Sequence, residues 1–219
     1  MRNLFLAGST GAVGGTLLQL ARGMGVDLVA HARPKPGRGE PSPDMLVFDL
    51  QDREALVHAL AGRTTVIQCI GTMRKRFKSG DTYETSDVGT TRLLVEAARE
   101  AGSVDHLVLL SSVGAGRPVG AYLKAKAEAE RLVRESGIPW TLFRPSAFDG
   151  AGHKVPPGAT WLMDTLGLSR YRPIQVDKLA AALLGVACGR APLGEVLEGE
   201  LLWAQVAKFS ALTHVPGRR

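Results

Sequence analysis

The sequence is poor in cysteine, which several classes of protein need. Among 219 residues there are two, Cys69 and Cys188, far apart and in dissimilar apolar surroundings. They indicate buried thiols rather than a disulfide, which fits a reducing, cytoplasmic location. No cluster of histidine and cysteine has metal-site spacing, so we expect no bound metal.

Long apolar runs are also missing. A bilayer-spanning helix needs roughly 20 consecutive apolar residues, and no stretch approaches that length. The first apolar stretch is short and interrupted by Asn3, which argues against a signal peptide. With 45% hydrophobic and 22% charged residues, the chain is typical of a globular protein, and its length predicts a single domain over residues 1–219.

Aromatic residues make up only 5% of the chain, although its formal net charge is +6. Such a charge could attract nucleic acid, an acidic membrane or an anionic small molecule. Nucleic-acid binding would need a reading helix or an aromatic stacking platform, so the low aromatic content argues against it. The basic residues are scattered except at residues 73–80, which predict either a solvated loop or a surface near a cofactor or partner.

The first fourteen residues carry the strongest motif. An apolar run at residues 4–7 is typical of a buried strand, and residues 16–24 have the apolar stripe of a helix. Gly8, Gly11 and Gly14 lie between them and predict a dinucleotide-binding turn, in which glycine permits the tight turn, the approach of a pyrophosphate and close helix packing. The alternative is a turn whose glycines serve packing alone. The predicted cofactor contacts here are Gly8, Ser9, Thr10, Gly11, Ala12, Val13 and Gly14.

The end of the second predicted strand bears on the choice of cofactor. Between His31 and Gly39 there is no acidic residue, whereas Arg33, Lys35 and Arg38 are basic. In dinucleotide folds an acidic residue here binds the ribose 2′-hydroxyl, while an arginine accommodates a 2′-phosphate. We therefore expect NADP rather than NAD, with Arg33 as the leading phosphate contact; a basic surface loop is the alternative.

Predicted strands alternate regularly with predicted helices. The strands are expected at residues 4–7, 26–32, 45–48, 65–71, 106–112 and 139–145, and the helices at 16–24, 52–60, 87–101 and 119–136. This alternation predicts an α/β fold, a Rossmann-type doubly wound parallel sheet. Residues from about 146 onward are expected to form a small C-terminal substrate-side lobe, with a loop at 150–158, a short helix at 159–168 and an apolar helix at 178–188.

Two predicted strands end in residues suited to a bound nucleotide. Asp49 follows the third strand, where a carboxylate could accept a hydrogen bond from an adenine amino group or cap a helix; Asp52 is the better cap candidate. Gly71 ends the fourth strand, where a missing side chain would let the backbone pass close beneath a ribose.

Tyr122 and Lys126 stand four residues apart on a predicted helix, so they share one face. A nearby ammonium favours the phenolate form of a tyrosine, which suits it to exchange a proton with a carbonyl or alcohol. Ser111 and Ser112 end the preceding strand, and a hydroxyl there could orient the substrate oxygen. The alternative for the Tyr–Lys pair is a solvated helix face.

Together these motifs resemble those of the atypical short-chain dehydrogenase/reductases. The resemblance is closer still to the Tat-interacting oxidoreductase and NmrA-like group, and it covers nearly the whole chain. It is carried by the glycine turn, the serine strand end, the Tyr–Lys pair and the segments at residues 69–72, 109–115, 143–145 and 195–198.

The resemblance implies roles for individual residues. Tyr122 would be the acid/base, Lys126 would bind the nicotinamide ribose, and Ser112 would complete the catalytic set, with Ser111 as the fallback. Further cofactor contacts implied by the family are Asp49, Leu50, Cys69, Ile70, Gly71, Thr72, Ser111, Tyr122, Lys126, Arg144 and Pro145.

We therefore expect an NADP-dependent oxidoreductase that transfers hydride between nicotinamide and a small carbonyl or alcohol substrate. One alternative is a non-catalytic NADP(H)-binding redox sensor that contacts a protein partner through residues 74–78. Another is an NAD-dependent epimerase or dehydratase, which Arg33 and the short C-terminal region disfavour. Relatives often form homodimers through the helices predicted at 87–101 and 119–136.

Overall fold

Short strands alternate with helices along the chain. The computed structural model describes residues 2–35, 41–72, 82–149, 169–189 and 191–214. Within these residues the strands are β1 (Leu4–Ala7), β2 (Leu28–Ala32), β3 (Met45–Val47), β4 (Thr65–Gln68), β5 (His106–Leu110), β6 (Trp140–Phe143), β7 (Phe148–Asp149), β8 (Ile174–Gln175) and β9 (Glu195–Leu197). The α-helices are α1 (Ala12–Gly23), α2 (Arg53–Leu60), α3 (Thr90–Ala101), α4 (Gly120–Arg134), α5 (Val176–Gly189) and α6 (Glu200–Lys208).

Seven of these strands form one sheet in the order β3-β2-β1-β4-β5-β6-β9, and every pairing in it is parallel. The predicted α/β doubly wound parallel sheet is therefore confirmed. The chain order of the strands reverses between β1 and β4. In such sheets ligands bind in the crevice beyond the carboxyl ends of the strands at that reversal.

Helices cover both faces of the sheet. One apolar cluster joins Leu4 and Leu6 of β1 to α1 and α5, and a second joins Phe5 and Ala7 to α2, α3 and α4. Successive side chains of a strand point to opposite faces, which accounts for this division. Because both faces are covered, β1 is an uninterrupted apolar run rather than an alternating one.

Much of the C-terminal region belongs to this core rather than to a separate lobe. Ten residues of α5 are buried, and the helix packs beside α1. Strand β9 extends the sheet beside β6. The described part of the expected substrate-side lobe includes the two-stranded sheet of β7 and β8. A strand of three residues is too short to show a periodicity, which is why β9 has no clear sequence signal.

Several predicted boundaries shift, and two of the shifts affect the site. Strand β4 ends at Gln68, so the segment Cys69–Thr72 lies beyond the sheet. A π-helix at Glu84–Gly89 leads into α3, so helical structure begins before Asp87. The predicted cap Asp52 is confirmed, since its carboxylate accepts a hydrogen bond from the Ala55 amide at 3.0 Å.

Some predicted segments lie outside the described residues. They are the loop at 150–158, the helix at 159–168, the basic segment at 73–80 and Arg38. Within the described ranges, no helix is long and apolar enough to cross a membrane. Both cysteines, Cys69 and Cys188, are described and are free thiols.

Replacing Gly185 with alanine should lower the free energy of unfolding by about 1–3 kcal/mol, the usual cost of overpacking a core. A Cβ atom at this position of α5 would lie 2.3 Å from Cδ1 of Phe209. Without such a contact, alanine would stabilise a helix interior by about 1 kcal/mol over glycine. Urea unfolding measures the change.

The matched control is Gly189→Ala in the same helix. Among the described residues, no atom outside its immediate surroundings lies within 4 Å of a Cβ built there. This variant should be as stable as the parent or slightly more stable. Equal effects of the two substitutions would contradict the close packing of α5 against Phe209.

Candidate functional site

The glycine turn after β1 is formed by backbone segments in direct contact. Gly8 has a φ of +94°, and a Cβ atom there would lie 2.6 Å from the carbonyl carbon of Cys69. A Cβ atom at Gly14 would lie 2.2 Å from the Gly8 oxygen, and the Gly11 amide donates to that oxygen at 3.1 Å. Any side chain at Gly8 or Gly14 would separate β1 from β4 or from α1.

This turn leaves the start of α1 open to solvent. Gly11 precedes the helix, no side chain of the described residues caps it, and Thr10, Gly11 and Ala12 are exposed. The first amides of a helix carry a partial positive charge and suit a phosphate. Ser9 is buried and donates its hydroxyl to the His31 carbonyl at 2.7 Å, which ties the turn to β2. The glycine turn and the open start of α1 together form a cradle that fits a pyrophosphate.

The ends of β2 and β3 lie on one side of this cradle. Arg33 and Lys35 follow β2 and are exposed. Asp49 follows β3, is exposed and accepts a hydrogen bond from the Gln51 amide at 2.9 Å, while Leu50 is buried. An exposed guanidinium at this strand end suits a phosphate group on the adenosine ribose.

On the other side, the segment after β4 is held by one buried glutamine. Gln68 accepts a hydrogen bond from the Ile70 amide at 3.0 Å. Its Nε2 atom donates to the hydroxyls of Thr90 and Thr91, each at 3.1 Å. These bonds connect the end of β4 to the start of α3. The position of the segment from Cys69 onward therefore depends on α3.

A buried ion pair lies beneath this segment. The Lys126 Nζ atom is 2.8 Å from Oδ1 of Asp87, and the two side chains are 6% and 0% exposed. Nζ also donates to the Leu110 carbonyl at 3.2 Å, and the second Asp87 oxygen accepts from the Thr72 amide at 3.3 Å. A Cβ atom at Gly71 would lie 3.3 Å from both charged groups, so a larger residue there would press on the ion pair.

Burial and the neighbouring charges shift the pKa of Lys126 in opposite directions. Burial disfavours the ammonium, but the charges of Asp87 and, to a smaller extent, Tyr122 outweigh it and raise the pKa of Lys126. For the neighbouring Cys69 thiol, burial raises the pKa to about 12 against the opposing charge of Lys126. The crevice therefore contains a protonated lysine and a neutral thiol around neutral pH.

Tyr122 is half-buried and lies near the ion pair. Its ring centroid is 6.0 Å from the Lys126 Nζ atom, as expected for residues four apart on α4. The ring also packs against Tyr83 with 5.3 Å between centroids. Ser112 is half-buried, and within the part of the chain that the structure describes its hydroxyl makes one long contact, 3.4 Å to the Val113 carbonyl. That hydroxyl is therefore weakly held.

The Ser111 hydroxyl has a different partner from the Ser112 hydroxyl. It is buried, and its hydroxyl donates to Oε1 of Glu130 at 2.5 Å. Arg144 binds the same carboxylate through two nitrogens at 2.8 and 2.6 Å, and it donates to Glu198 at 3.1 Å. Arg170 also binds Glu198, at 2.6 Å. This network joins the carboxyl ends of β5, β6 and β9.

These contacts bear on three predicted cofactor residues. Ser111 and Arg144 already satisfy a buried carboxylate, and Pro145 uses its carbonyl to accept from the Val113 amide at 2.9 Å. The structure therefore gives all three a part in holding strand ends together. Their contact with a cofactor stays a prediction, and Ser112 is better placed than Ser111 to bind a substrate oxygen.

Sequence reasoning missed the two buried carboxylates of the site. Glu130 could have been predicted to lie on the same helix face, because it continues the spacing of four residues from Tyr122 through Lys126. Asp87 had none beyond its place at the start of a predicted helix, because its role depends on the π-helix that presents it to α4.

The sequence profile of a family described as NAD(P)H-binding matches residues 8–186. The mitochondrial protein FMP52 of Debaryomyces hansenii is 30% identical over 155 residues, which are 68% of each chain. The chloroplastic divinyl chlorophyllide a 8-vinyl-reductase of Oryza sativa subsp. indica is 28% identical over 81% of this chain and 49% of its own. MoeE5, solved with UDP-glucose and NAD, has a TM-score of 0.67 at 20% identity over 95% of this chain and 82% of its own, which shows the fold.

Replacing Glu130 with alanine should lower the free energy of unfolding by about 3–5 kcal/mol, the usual cost of breaking a buried ion pair. The change removes the acceptor of Ser111 and leaves the Arg144 guanidinium, 12% exposed, with one carboxylate fewer. Chemical unfolding measures the loss.

Glu128→Ala on the same helix is the control. Glu128 pairs with Arg131 on the solvent-exposed side of α4, where ion pairs contribute little. It should change stability far less than Glu130→Ala. A similar loss in both variants would contradict a structural role for the Glu130 network.

Proposed function

The chain belongs to the NAD(P)H-binding family, and on that premise we propose that it is an NADP-dependent oxidoreductase. The substrate would be a small carbonyl compound or the corresponding alcohol. The proposal depends chiefly on one observation, the buried Lys126, paired with Asp87 and beside Tyr122, at the carboxyl ends of β4 and β5. In a doubly wound sheet, this edge is where ligands bind.

The residues present fit a dinucleotide. The open start of α1 and the close-packed glycine turn would hold the pyrophosphate. The segment Cys69–Thr72 would lie beneath the nicotinamide ribose, since Gly71 offers only backbone there. When bound, the cofactor supplies hydride transfer at its nicotinamide ring.

The chain's own contribution would be binding and proton transfer. The Lys126 ammonium would hold the ribose hydroxyls, and its charge would stabilise the Tyr122 oxygen when that oxygen gives up a proton to the substrate. The weakly held Ser112 hydroxyl would donate a hydrogen bond to the substrate oxygen and stabilise the charge that develops on it.

Arg33 supports NADP over NAD. It is exposed directly after β2, where an arginine can bind a 2′-phosphate. The expected cytoplasmic location and a homodimer stay predictions, and two of the relatives named above carry mitochondrial and chloroplastic locations in their names.

Tyr122→Phe should reduce turnover by about 10²–10⁴-fold, the usual contribution of a general acid or base. The ring would still pack on Tyr83, so the fold and the affinity for NADPH should be kept. Oxidation of NADPH is measured with a panel of carbonyl probes, including phenanthrenequinone, and binding is measured by fluorescence titration.

Parent protein that binds NADPH but reduces none of the probes would favour the redox-sensor alternative. Turnover that persists in Tyr122→Phe would contradict the role given to Tyr122. Ser112→Ala should also reduce turnover, whereas Gln19→Ala, which changes an exposed side chain farther along α1, serves as the matched control for binding.

Arg33→Ala should weaken NADPH binding by about 10–100-fold, the range expected for losing a hydrogen bond to a charged group. NADH binding should change little, because NADH has no 2′-phosphate. Parallel titrations with both nucleotides measure the ratio of affinities. The neighbouring Lys35→Ala is the control, and an unchanged ratio in Arg33→Ala would refute the account of cofactor choice.

A further inference from the structure

We propose that Asp87 is a positioning residue that pairs with the Lys126 ammonium and fixes this side chain in the cofactor crevice. This inference deepens the proposed function and rests on it, because Lys126 is the group that would hold the ribose. No motif in the sequence assigns Asp87 a role, and its part follows from its contacts.

The position of Asp87 is strongly determined. Its side chain is fully buried, and its carboxylate contacts the Thr72 amide and the Lys126 ammonium. Among the described residues, that ammonium is the only partner of Oδ1. The Asp87 backbone carbonyl accepts the Thr91 hydroxyl at 2.6 Å, and Thr91 is bound in turn by Gln68. The backbone at Asp87 is therefore tied to α3 and, through Thr91, to β4.

The other groups that face Lys126 do not replace this charge. From β5 it receives the neutral Leu110 carbonyl. From the segment after β4 it meets Cys69, whose high pKa keeps that thiol neutral. From its own helix it faces Tyr122, which in turn packs on Tyr83. Asp87 is the carboxylate that contacts the ammonium.

Burial and the neighbouring groups shift the pKa of Lys126 in opposite directions. Burial favours the neutral amine, whereas the charge and hydrogen bond of Asp87, with a smaller contribution from Tyr122, favour the ammonium and together outweigh burial. If the carboxylate becomes a neutral amide, the largest of the influences that oppose burial is lost. Lys126 would then lose its proton as the pH rises, at a lower pH than in the parent protein. The neutral amine would bind ribose hydroxyls less well.

The test is the pH dependence of NADPH binding in Asp87→Asn. Fluorescence titrations between about pH 7 and pH 9.5 should give a nearly constant affinity for the parent protein. For Asp87→Asn we expect the affinity to fall by about tenfold across that range, the change that one pKa unit represents. No substrate is needed, so a failed search for carbonyl substrates leaves this test intact.

A matched control separates this effect from a general loss of structure. Glu130→Gln neutralises another buried carboxylate on the face of α4 that carries Lys126, and its partners are Ser111 and Arg144. It should lower stability without giving NADPH affinity a pH dependence. A loss in Asp87→Asn that is equal at every pH would mean that Asp87 has only a structural role, and would overturn the proposal.

Rescue identifies the group that titrates. Arginine keeps its charge throughout this pH range, so Asp87→Asn combined with Lys126→Arg should bind NADPH with an affinity that does not vary with pH. If the double variant keeps the alkaline loss of Asp87→Asn, a group other than Lys126 is titrating and the proposal fails.

The pair can also be tested by stability, should the parent protein bind no NADPH or Asp87→Asn fail to fold. Lys126→Met leaves the Asp87 carboxylate buried without a counter-charge, which is strongly destabilising. Adding Asp87→Asn should restore part of the lost melting temperature at neutral pH. Additive losses would show that the two side chains are not coupled. Absence of NADPH binding would refute the proposed function alone.

Discussion

The contact between three stretches of backbone at the end of β1 is the constraint on which the rest of the site depends. Gly8 lies against the carbonyl of Cys69 and beneath Gly14, so β4 and α1 approach β1 more closely than any side chain would permit. This close approach leaves the first turn of α1 open toward the crevice. It also brings the segment after β4 to the same crevice. The proposed phosphate cradle and ribose platform would thus both result from one packing contact.

Two sets of buried charges build on this frame, and both use α4. Tyr122, Lys126 and Glu130 follow one another at intervals of four along its inner face. Lys126 meets Asp87 from the π-helix before α3, and Glu130 meets Arg144 from the end of β6. Removing charges from water is costly unless each charge is paired. Because each pair joins α4 to another element, both pairs also fix how α4 lies on the sheet. The orientation of Tyr122 depends on the same contacts.

The fold and the nucleotide cradle could be predicted from sequence because they depend on local patterns. Apolar runs gave the strands, and the spacing of Gly8, Gly11 and Gly14 marked the turn. Ser111 and Ser112 look equivalent in sequence, and only their different directions after β5 separate them. The pairing of Arg144 with Glu130 and Glu198 could not be predicted, because it joins residues that are distant in the chain. Strand β9 was too short to have a period.

The π-helix before α3 has a consequence for how this site could change. A π-helical turn contains about one residue more than an α-helical turn, and such turns are frequent at functional sites. Asp87 lies inside this wider turn at Glu84–Gly89. Deleting a single residue there would turn the preceding chain by about 100° relative to α3. The number of residues in this turn therefore determines how the Asp87 carboxylate is directed toward α4. An insertion or deletion there would disrupt the site even if every functional side chain were retained.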